Sequence, residues 1–421
     1  MHCILQGATI IDPASQHHRS TVSIRIQNGV ITEIASSIAD TGDAQLIDLK
    51  GNFVSPGWMD MLAAFGDPGH EYRETIQTGA AAAAKGGFTA LGLMPNTQPA
   101  LHGKAEIEYI KNHAAGQLTH IFPYGAVTHN REGKDLTEIY DMHAAGAMAF
   151  TDADSAIRDA GILLRSLQYV KPFNGVIINI PNDHKIVGNA NVNEGAMSVQ
   201  LGMYGIPDIL EELMVIRDIK LAEYTQSHLH IGIVSSAKVL PHIRAAKEKG
   251  LSVTAGVAAY QLYFDEAELH DYNAHYKVNP PLRTAADKQA LREAVADGTI
   301  DVVCSYHLPH DNDSKDVEFE YAAFGMASLE VVFGAMRSAL PNISPEQIVN
   351  ILAAKPRNIL NIAQPGIAVG NTADITMFDA ETTWTLQQSD LRSKASNNPF
   401  VGKTLKGKVL GVINKGKISI A

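Results

Sequence analysis

The middle of the chain repeats a short apolar strand followed by a helical stretch about eight times. Each candidate strand is a run of apolar residues bounded by polar or glycine-containing segments. The candidate strands are 59–64, 88–94, 120–125, 147–151, 175–180, 228–234, 251–255 and 301–305. This alternation predicts an α/β fold with a parallel sheet, most simply a closed (β/α)8 barrel whose functional residues lie at the C-terminal strand ends.

Both ends of the chain have the pattern of β-structure. Residues 22–27 alternate between apolar and polar side chains, and Asn28-Gly29 then favours a hairpin with 30–34. Segments 373–378 and 408–418 have the same character near the C-terminus. We therefore predict a small β-sandwich domain built from residues 1–55 and 366–421, with the barrel formed by residues 56–365.

Composition and charge exclude several classes of partner. The chain has 421 residues and a formal net charge of -11, which argues against binding to nucleic acid or to anionic membranes. Its two cysteines, Cys3 and Cys304, give no disulfide framework or thiolate metal site. The first residues do not resemble a secretion signal, and no apolar run is long enough to span a bilayer. We therefore expect a cytoplasmic protein.

Eight motifs along the chain carry a family resemblance. They are Asp67-Pro68-Gly69-His70-Glu71-Tyr72-Arg73-Glu74-Thr75, Gly86-Gly87-Phe88-Thr89, Met94-Pro95-Asn96-Thr97, Ala149-Phe150-Thr151-Asp152, Val278-Asn279-Pro280-Pro281-Leu282-Arg283, His307-Leu308-Pro309-His310, Gly370-Asn371-Thr372-Ala373-Asp374 and Asn398-Pro399-Phe400. In this order they resemble the dihydroorotases of the amidohydrolase superfamily. The resemblance covers nearly the whole chain. It implies a TIM barrel of the amidohydrolase type, and it favours a homo-oligomer.

The family also implies zinc and a reaction. Dihydroorotases interconvert carbamoyl-aspartate and dihydroorotate in pyrimidine biosynthesis. Zinc supplies a water of lowered pKa and polarises the amide carbonyl. A carboxylate at the end of the last barrel strand then transfers the proton.

The residues that the family uses for this chemistry are replaced here. The two histidines expected on the first strand are Leu62 and Ala64, and the histidines expected on the fifth and sixth strands are Ile180 and Ile233. Tyr306 stands at the position of the catalytic aspartate. Gly66 stands where the family has an arginine that holds the substrate carboxylate. Aliphatic side chains carry no lone pair, so we expect no zinc site and no bound cofactor.

Some family residues survive. The resemblance assigns Asp152 to the retained bridging carboxylate, and Asn96, Asn279 and His310 to former substrate contacts. A buried carboxylate without metal needs a neutralising partner. We predict His307 for that role. A residual weak metal site of Asp152, His307 and His184 stays open as an alternative.

One literal His-x-His pair remains, His228-Leu229-His230. It lies at the beginning of a predicted strand. That is the end of a barrel opposite to the usual site, so we predict a structural role for both histidines.

Two classes of function follow from the resemblance. The first is a catalytically inactive, dihydroorotase-like structural partner of aspartate carbamoyltransferase, because some chains of this kind have lost their metal site. The second is an active dihydroorotase or related zinc-dependent cyclic amidohydrolase with an altered centre built from Asp152, Tyr306, His307 and His310. A ligand-binding role for the old pocket without turnover is a third possibility.

Overall fold

A computed structural model describes all residues, Met1–Ala421. The strands are β1 (His2–Ile10), β2 (Thr21–Gln27), β3 (Val30–Ala35), β4 (Gln45–Asp48), β5 (Phe53–Pro56), β6 (Trp58–Ala63), β7 (Phe88–Leu93), β8 (His120–Pro123), β9 (Val176–Asn179), β10 (Val192–Asn193), β11 (Gly205–Ile206), β12 (His228–Ile231), β13 (Val253–Ala258), β14 (Val302–Cys304), β15 (Ile375–Thr385), β16 (Thr404–Asn414) and β17 (Lys417–Ile420). The helices are α1 (Ile76–Lys85), α2 (Lys104–Ala114), α3 (Ile139–Ala145), α4 (Ala160–Val170), α5 (His184–Val187), α6 (Ala196–Leu201), α7 (Ile209–Thr225), α8 (Leu240–Glu248), α9 (Ala259–Tyr263), α10 (Ala285–Ala296), α11 (Val332–Ala339), α12 (Pro345–Val349) and α13 (Lys355–Ile359).

The middle of the chain closes into a parallel barrel. One arc is the sheet β6-β7-β8 and the other is β9-β12-β13-β14. Phe150 joins the arcs through single bridges to Gly125 and Ile177, and a bridge between Ala63 and His307 closes the ring. Seven of the eight predicted strands are therefore regular, and the fourth, predicted at 147–151, is reduced to bridges at Phe150. A core of 97 buried residues lies inside the barrel and between its strands and helices.

The two termini share one sheet. Its order is β17-β16-β15-β5-β1-β2-β3, with β4 paired to β1, so N-terminal and C-terminal strands are hydrogen-bonded neighbours. A separate core of 15 buried residues packs against it. The description of this part as a β-sandwich, and the domain limits at residues 55 and 366, stay predictions. No helix has the length and apolar character needed to cross a membrane.

A buried ion pair joins the barrel to the terminal sheet. Arg357 donates to Asp374 at 2.8 Å and to Thr89 at 3.3 Å. Gly57 lies against this pair so closely that a Cβ added there would stand 1.9 Å from Asp374 Oδ1 and 2.1 Å from Thr89 Oγ1. Only glycine fits this position without displacing the side chains of Asp374 and Thr89.

We expect Gly57→Ala to lower the free energy of unfolding by about 1–3 kcal/mol, because the added methyl forces buried groups apart. Urea unfolding followed by circular dichroism measures the loss. Gly116→Ala is the matched control, since a Cβ at Gly116 meets nothing within 4 Å. Equal stabilities for the two variants would contradict the proposed crowding.

Candidate functional site

The four positions of the lost histidines converge at the C-terminal strand ends. Leu62 is in β6 and Ala64 follows it, Ile180 follows β9, and Ile233 lies two residues beyond β12. Their exposed fractions are between 0% and 4%, and all belong to the barrel core. Two of them meet beside Gly232, because a Cβ added there would lie 2.8 Å from Ile180 and 3.4 Å from Leu62. Burial of each Leu or Ile side chain contributes about 1.5–3 kcal/mol.

The loop after β6 has closed over the position of the missing arginine. Gly66 donates its N–H to the carbonyl of Glu74 at 3.0 Å. A Cβ at Gly66 would lie 1.9 Å from the carbonyl oxygen of His70. No side chain fits at residue 66 in this loop conformation. Residue 66 therefore cannot supply a charged group that binds the substrate carboxylate.

Tyr306 fills the end of the last barrel strand. Only 1% of its surface is exposed, and its hydroxyl has no hydrogen-bond partner. Its φ of 45° is in the left-handed region, which a bulky residue rarely adopts. Burial raises its pKa well above the ordinary tyrosine value. A phenol of this kind stays protonated at neutral pH and does not replace a catalytic carboxylate as base.

Asp152 has become a backbone anchor. Its Oδ1 accepts the N–H groups of Val127 and Thr128, both at 2.9 Å, and its Oδ2 accepts the Thr128 hydroxyl at 2.5 Å. The side chain is 1% exposed. The prediction that His307 neutralises Asp152 is wrong. The partners come from the loop after β8, which wraps around the carboxylate and uses both oxygens.

His307 pairs with a residue that sequence reasoning missed. Its Nδ1 accepts the N–H of Ser328 at 3.1 Å, and its Nε2 lies 3.5 Å from Glu74 Oε2. Glu74 is fully buried and also accepts the hydroxyls of Thr78 and Ser393. Glu74 belongs to a motif already quoted, but the motif alone does not indicate which distant residue it meets.

The predicted substrate contacts are only partly brought together. Asn96 and His310 line one cavity of about 100 Å³ at the barrel mouth, and Asn279 does not line it. His310 Nε2 donates to the carbonyl of Phe324 at 2.9 Å, whereas its Nδ1 has no partner. Burial lowers the pKa of His310 to about 4, so this imidazole is neutral near pH 7.

The remaining metal candidates are dispersed. His184 is exposed at the beginning of α5, whereas Asp152 and His307 are buried with separate partners. His230 is fully buried within β12, with its Nδ1 2.9 Å from Thr254 Oγ1. No group of three or more His, Cys, Asp or Glu side chains is arranged to hold a metal ion.

Zinc therefore does not fit the residues present. A catalytic zinc site needs three or more donor side chains around one point. The expected ligand positions carry buried aliphatic groups, and the one surviving carboxylate is occupied by hydrogen bonds.

Comparison with known proteins identifies the family. The family model described as "Dihydro-orotase-like" matches residues 51–239, and the model of the "Amidohydrolase family" matches residues 191–419. A dihydroorotase of Syntrophus aciditrophicus is 38% identical over 422 residues, which is 99% of each chain. The chain belongs to the dihydroorotase family. A dihydroorotase of Pelotomaculum thermopropionicum is also 38% identical, over 99% of this chain and 98% of its own.

Solved structures support the fold of this dihydroorotase-family chain. The L-hydantoinase from Arthrobacter aurescens superposes with a TM-score of 0.86 at 22% identity, covering 99% of this chain and 96% of the hydantoinase. The D-hydantoinase from a Thermus species gives a TM-score of 0.83 at 20% identity, covering 99% and 95%. These neighbours show an amidohydrolase TIM-barrel fold, as the resemblance in the motifs implied.

Proposed function

We propose that this chain is a catalytically inactive member of the dihydroorotase family. The observation that carries the proposal is the lack of metal-ligating side chains and of a catalytic carboxylate at the barrel mouth. Leu62, Ala64, Ile180 and Ile233 occupy the four histidine positions as buried core, and the phenol of Tyr306 occupies the position of the proton-transferring carboxylate. This arrangement supplies neither ligands for zinc nor a base of suitable pKa.

The role that best fits an inactive barrel is that of a structural subunit. We propose aspartate carbamoyltransferase as the partner, with this chain supplying a folded surface for assembly of that enzyme. The barrel core is continuous through the former site, so the fold needs no metal to hold its strands together. In this role the chain would act through its outer surface, which contacts the partner, and not through the former active site at the barrel mouth.

Two pairs of measurements test the two parts of the proposal. Metal analysis and assays of dihydroorotate hydrolysis with added zinc test the loss of catalysis. Co-expression with an aspartate carbamoyltransferase chain, followed by size-exclusion chromatography and a carbamoyltransferase assay with and without this chain, tests the assembly role. One equivalent of tightly held zinc with ordinary turnover would overturn the first part. A chain that elutes alone and leaves carbamoyltransferase activity unchanged would overturn the second.

The second candidate is an active dihydroorotase, and the relatives favour it. The similar proteins at 34–38% identity over the full chain are named dihydroorotase. An active centre here would need Asp152, Tyr306, His307 and His310 to supply the catalytic groups. Turnover at an ordinary enzyme rate that is lost in His307→Gln, in a variant that folds normally, would establish this candidate.

Metal removal gives a further prediction. Because no residue of the core depends on zinc, we expect the melting temperature to change by less than about 1 °C when EDTA is added or when zinc is added in stoichiometric amount. Differential scanning calorimetry measures both. A drop of several degrees in EDTA that zinc reverses would show that a structural metal site exists.

A further inference from the structure

Large apolar side chains are exposed together in residues 184–213, which run from α5 to the beginning of α7. Five of the sixteen large hydrophobic residues that the chain exposes lie in this segment. They are Ile186, Val199, Tyr204, Ile209 and Leu213, with exposed fractions of 45%, 82%, 76%, 44% and 53%. Single exposed apolar residues are normal on a protein surface, whereas a concentration of them marks a binding surface.

The segment has a small core of its own. Four buried residues form a cluster separate from the barrel core: Val187, Ala190, Ile206 and Leu210. Exposed Ile186 and Ile209 are the sequence neighbours of two members of this cluster. Val199 in α6 and Tyr204 before β11 flank the turn at Gly202. The exposed apolar side chains therefore belong to one compact substructure, whose outer surface we call the 184–213 face.

Buried hydrogen bonds fix this substructure on the barrel. Arg283 Nη1 donates to Asn193 Oδ1 and to the carbonyl of Ile206, both at 2.8 Å. The hydroxyl of Tyr272 donates to the carbonyl of Leu201 at 3.1 Å. The apolar side chains are therefore held in place before any partner binds, and this lowers the entropy cost of association.

Charged residues are nearly absent from the centre of the same segment. Residues 186–207 include one charged residue, Glu194, whereas 19% of the whole chain is charged. Exposed Lys185 lies at the edge of this run, so residues 185–207 have no net charge. The excess of negative charge, -11 in total, lies on the rest of the chain. The central parts of protein interfaces are depleted of charged residues in the same way.

The acidic residues at the beginning of α7 have partners within the chain. Asp208 forms an ion pair with Lys238 at 2.8 Å, and Glu212 lies 3.0 Å from His242 Nε2. Glu211 is fully buried. These carboxylates therefore leave little unbalanced charge beside the apolar side chains.

The charge distribution favours a second copy of this chain as the partner. Two copies repel each other through their acidic surfaces, because each has a formal net charge of -11. A two-fold symmetric contact joins one surface to itself, so that surface must be complementary to itself. An apolar face with one cation, Lys185, and one anion, Glu194, meets this requirement, whereas an acidic face does not.

We propose that the 184–213 face is the contact surface between two copies of this chain, related by two-fold symmetry. Val199 and Tyr204 are its most exposed residues, and their transfer out of water supplies the driving force. The inference goes beyond the proposed function, because the symmetric pair forms with or without a carbamoyltransferase partner and with or without catalysis.

Sedimentation equilibrium of the full chain tests the proposal. We expect a reversible equilibrium between monomer and dimer. The dissociation constant should fall as the NaCl concentration is raised, because salt screens the repulsion between two acidic chains and leaves the apolar contact intact. Val199→Glu and Tyr204→Glu should each weaken the dimer at least about tenfold, because each places a carboxylate in a desolvated contact. Both side chains are mostly exposed in the monomer, so neither change should affect folding.

Tyr224→Glu is the matched control, because Tyr224 is 75% exposed but lies at the opposite end of α7. It should dimerise like the wild type. A chain that stays monomeric at every concentration, or a dimer that Val199→Glu and Tyr204→Glu weaken no more than Tyr224→Glu does, would overturn the proposal.

A different occupant of the face gives a different result. A monomeric chain that binds a carbamoyltransferase chain, and loses this binding in Val199→Glu and Tyr204→Glu, would overturn the second copy as the occupant and assign the face to that enzyme. Turnover of dihydroorotate would overturn the proposed function and leave this inference standing.

Discussion

Glu74→Ala is expected to lower the free energy of unfolding by about 3–5 kcal/mol. Glu74 is fully buried, and its carboxylate accepts from Thr78 and Ser393 and lies 3.5 Å from His307 Nε2. It also accepts the N–H of Lys394 at 3.2 Å. Truncation leaves these donors without an acceptor and opens a cavity between the loop after β6 and the C-terminal segment.

Urea unfolding measures the effect. Glu74→Gln keeps the size and one acceptor oxygen, and should lose less, about 1–3 kcal/mol. Glu248→Ala is the matched control because Glu248 is exposed at the end of α8, and we expect a change within about 0.5 kcal/mol there. A Glu74→Ala protein as stable as the control would show that the buried carboxylate and its contacts contribute nothing to stability.

The architecture was largely accessible from the sequence because burial sets its pattern. The strands of a parallel barrel are buried on both faces, so β7 and β9 appear as short apolar runs between helical stretches. The fourth strand was less accessible. Residues 147–151 have the same apolar character, yet only Phe150 forms bridges. Strand pairing depends on the positions of both neighbours, which a single run of residues does not encode.

The site was accessible only where residue type decides the chemistry. An aliphatic side chain at Leu62 or Ile233 excludes metal ligation in any conformation. The partner of Asp152 was a different kind of problem. His307 was predicted because a histidine can carry the positive charge that balances a carboxylate. The structure instead satisfies the carboxylate with two backbone N–H groups and a hydroxyl from the loop after β8. Every residue except proline has a backbone N–H group, so the residue types in a sequence do not show which of these groups will reach a carboxylate.

The same loop gives the second large effect. We expect Asp152→Ala to lower the free energy of unfolding by about 3 kcal/mol, from three buried hydrogen bonds at about 1 kcal/mol each. Val127, Thr128 and the loop that follows them lose their anchor, so the loss should include local opening at the mouth. Hydrogen exchange of the Val127 and Thr128 amides measures that opening directly.

Asp135→Ala is the control within the same loop, because Asp135 is exposed and its side chain makes no hydrogen bond. Asp152→Asn separates the two roles that the carboxylate has in this family. The amide keeps one acceptor oxygen for the loop and is a much weaker metal ligand. A structural anchor predicts that Asp152→Asn retains part of the stability and that zinc has no effect on either protein. If zinc stabilised the wild type and not Asp152→Asn, Asp152 would still be a metal ligand and the anchor would be secondary.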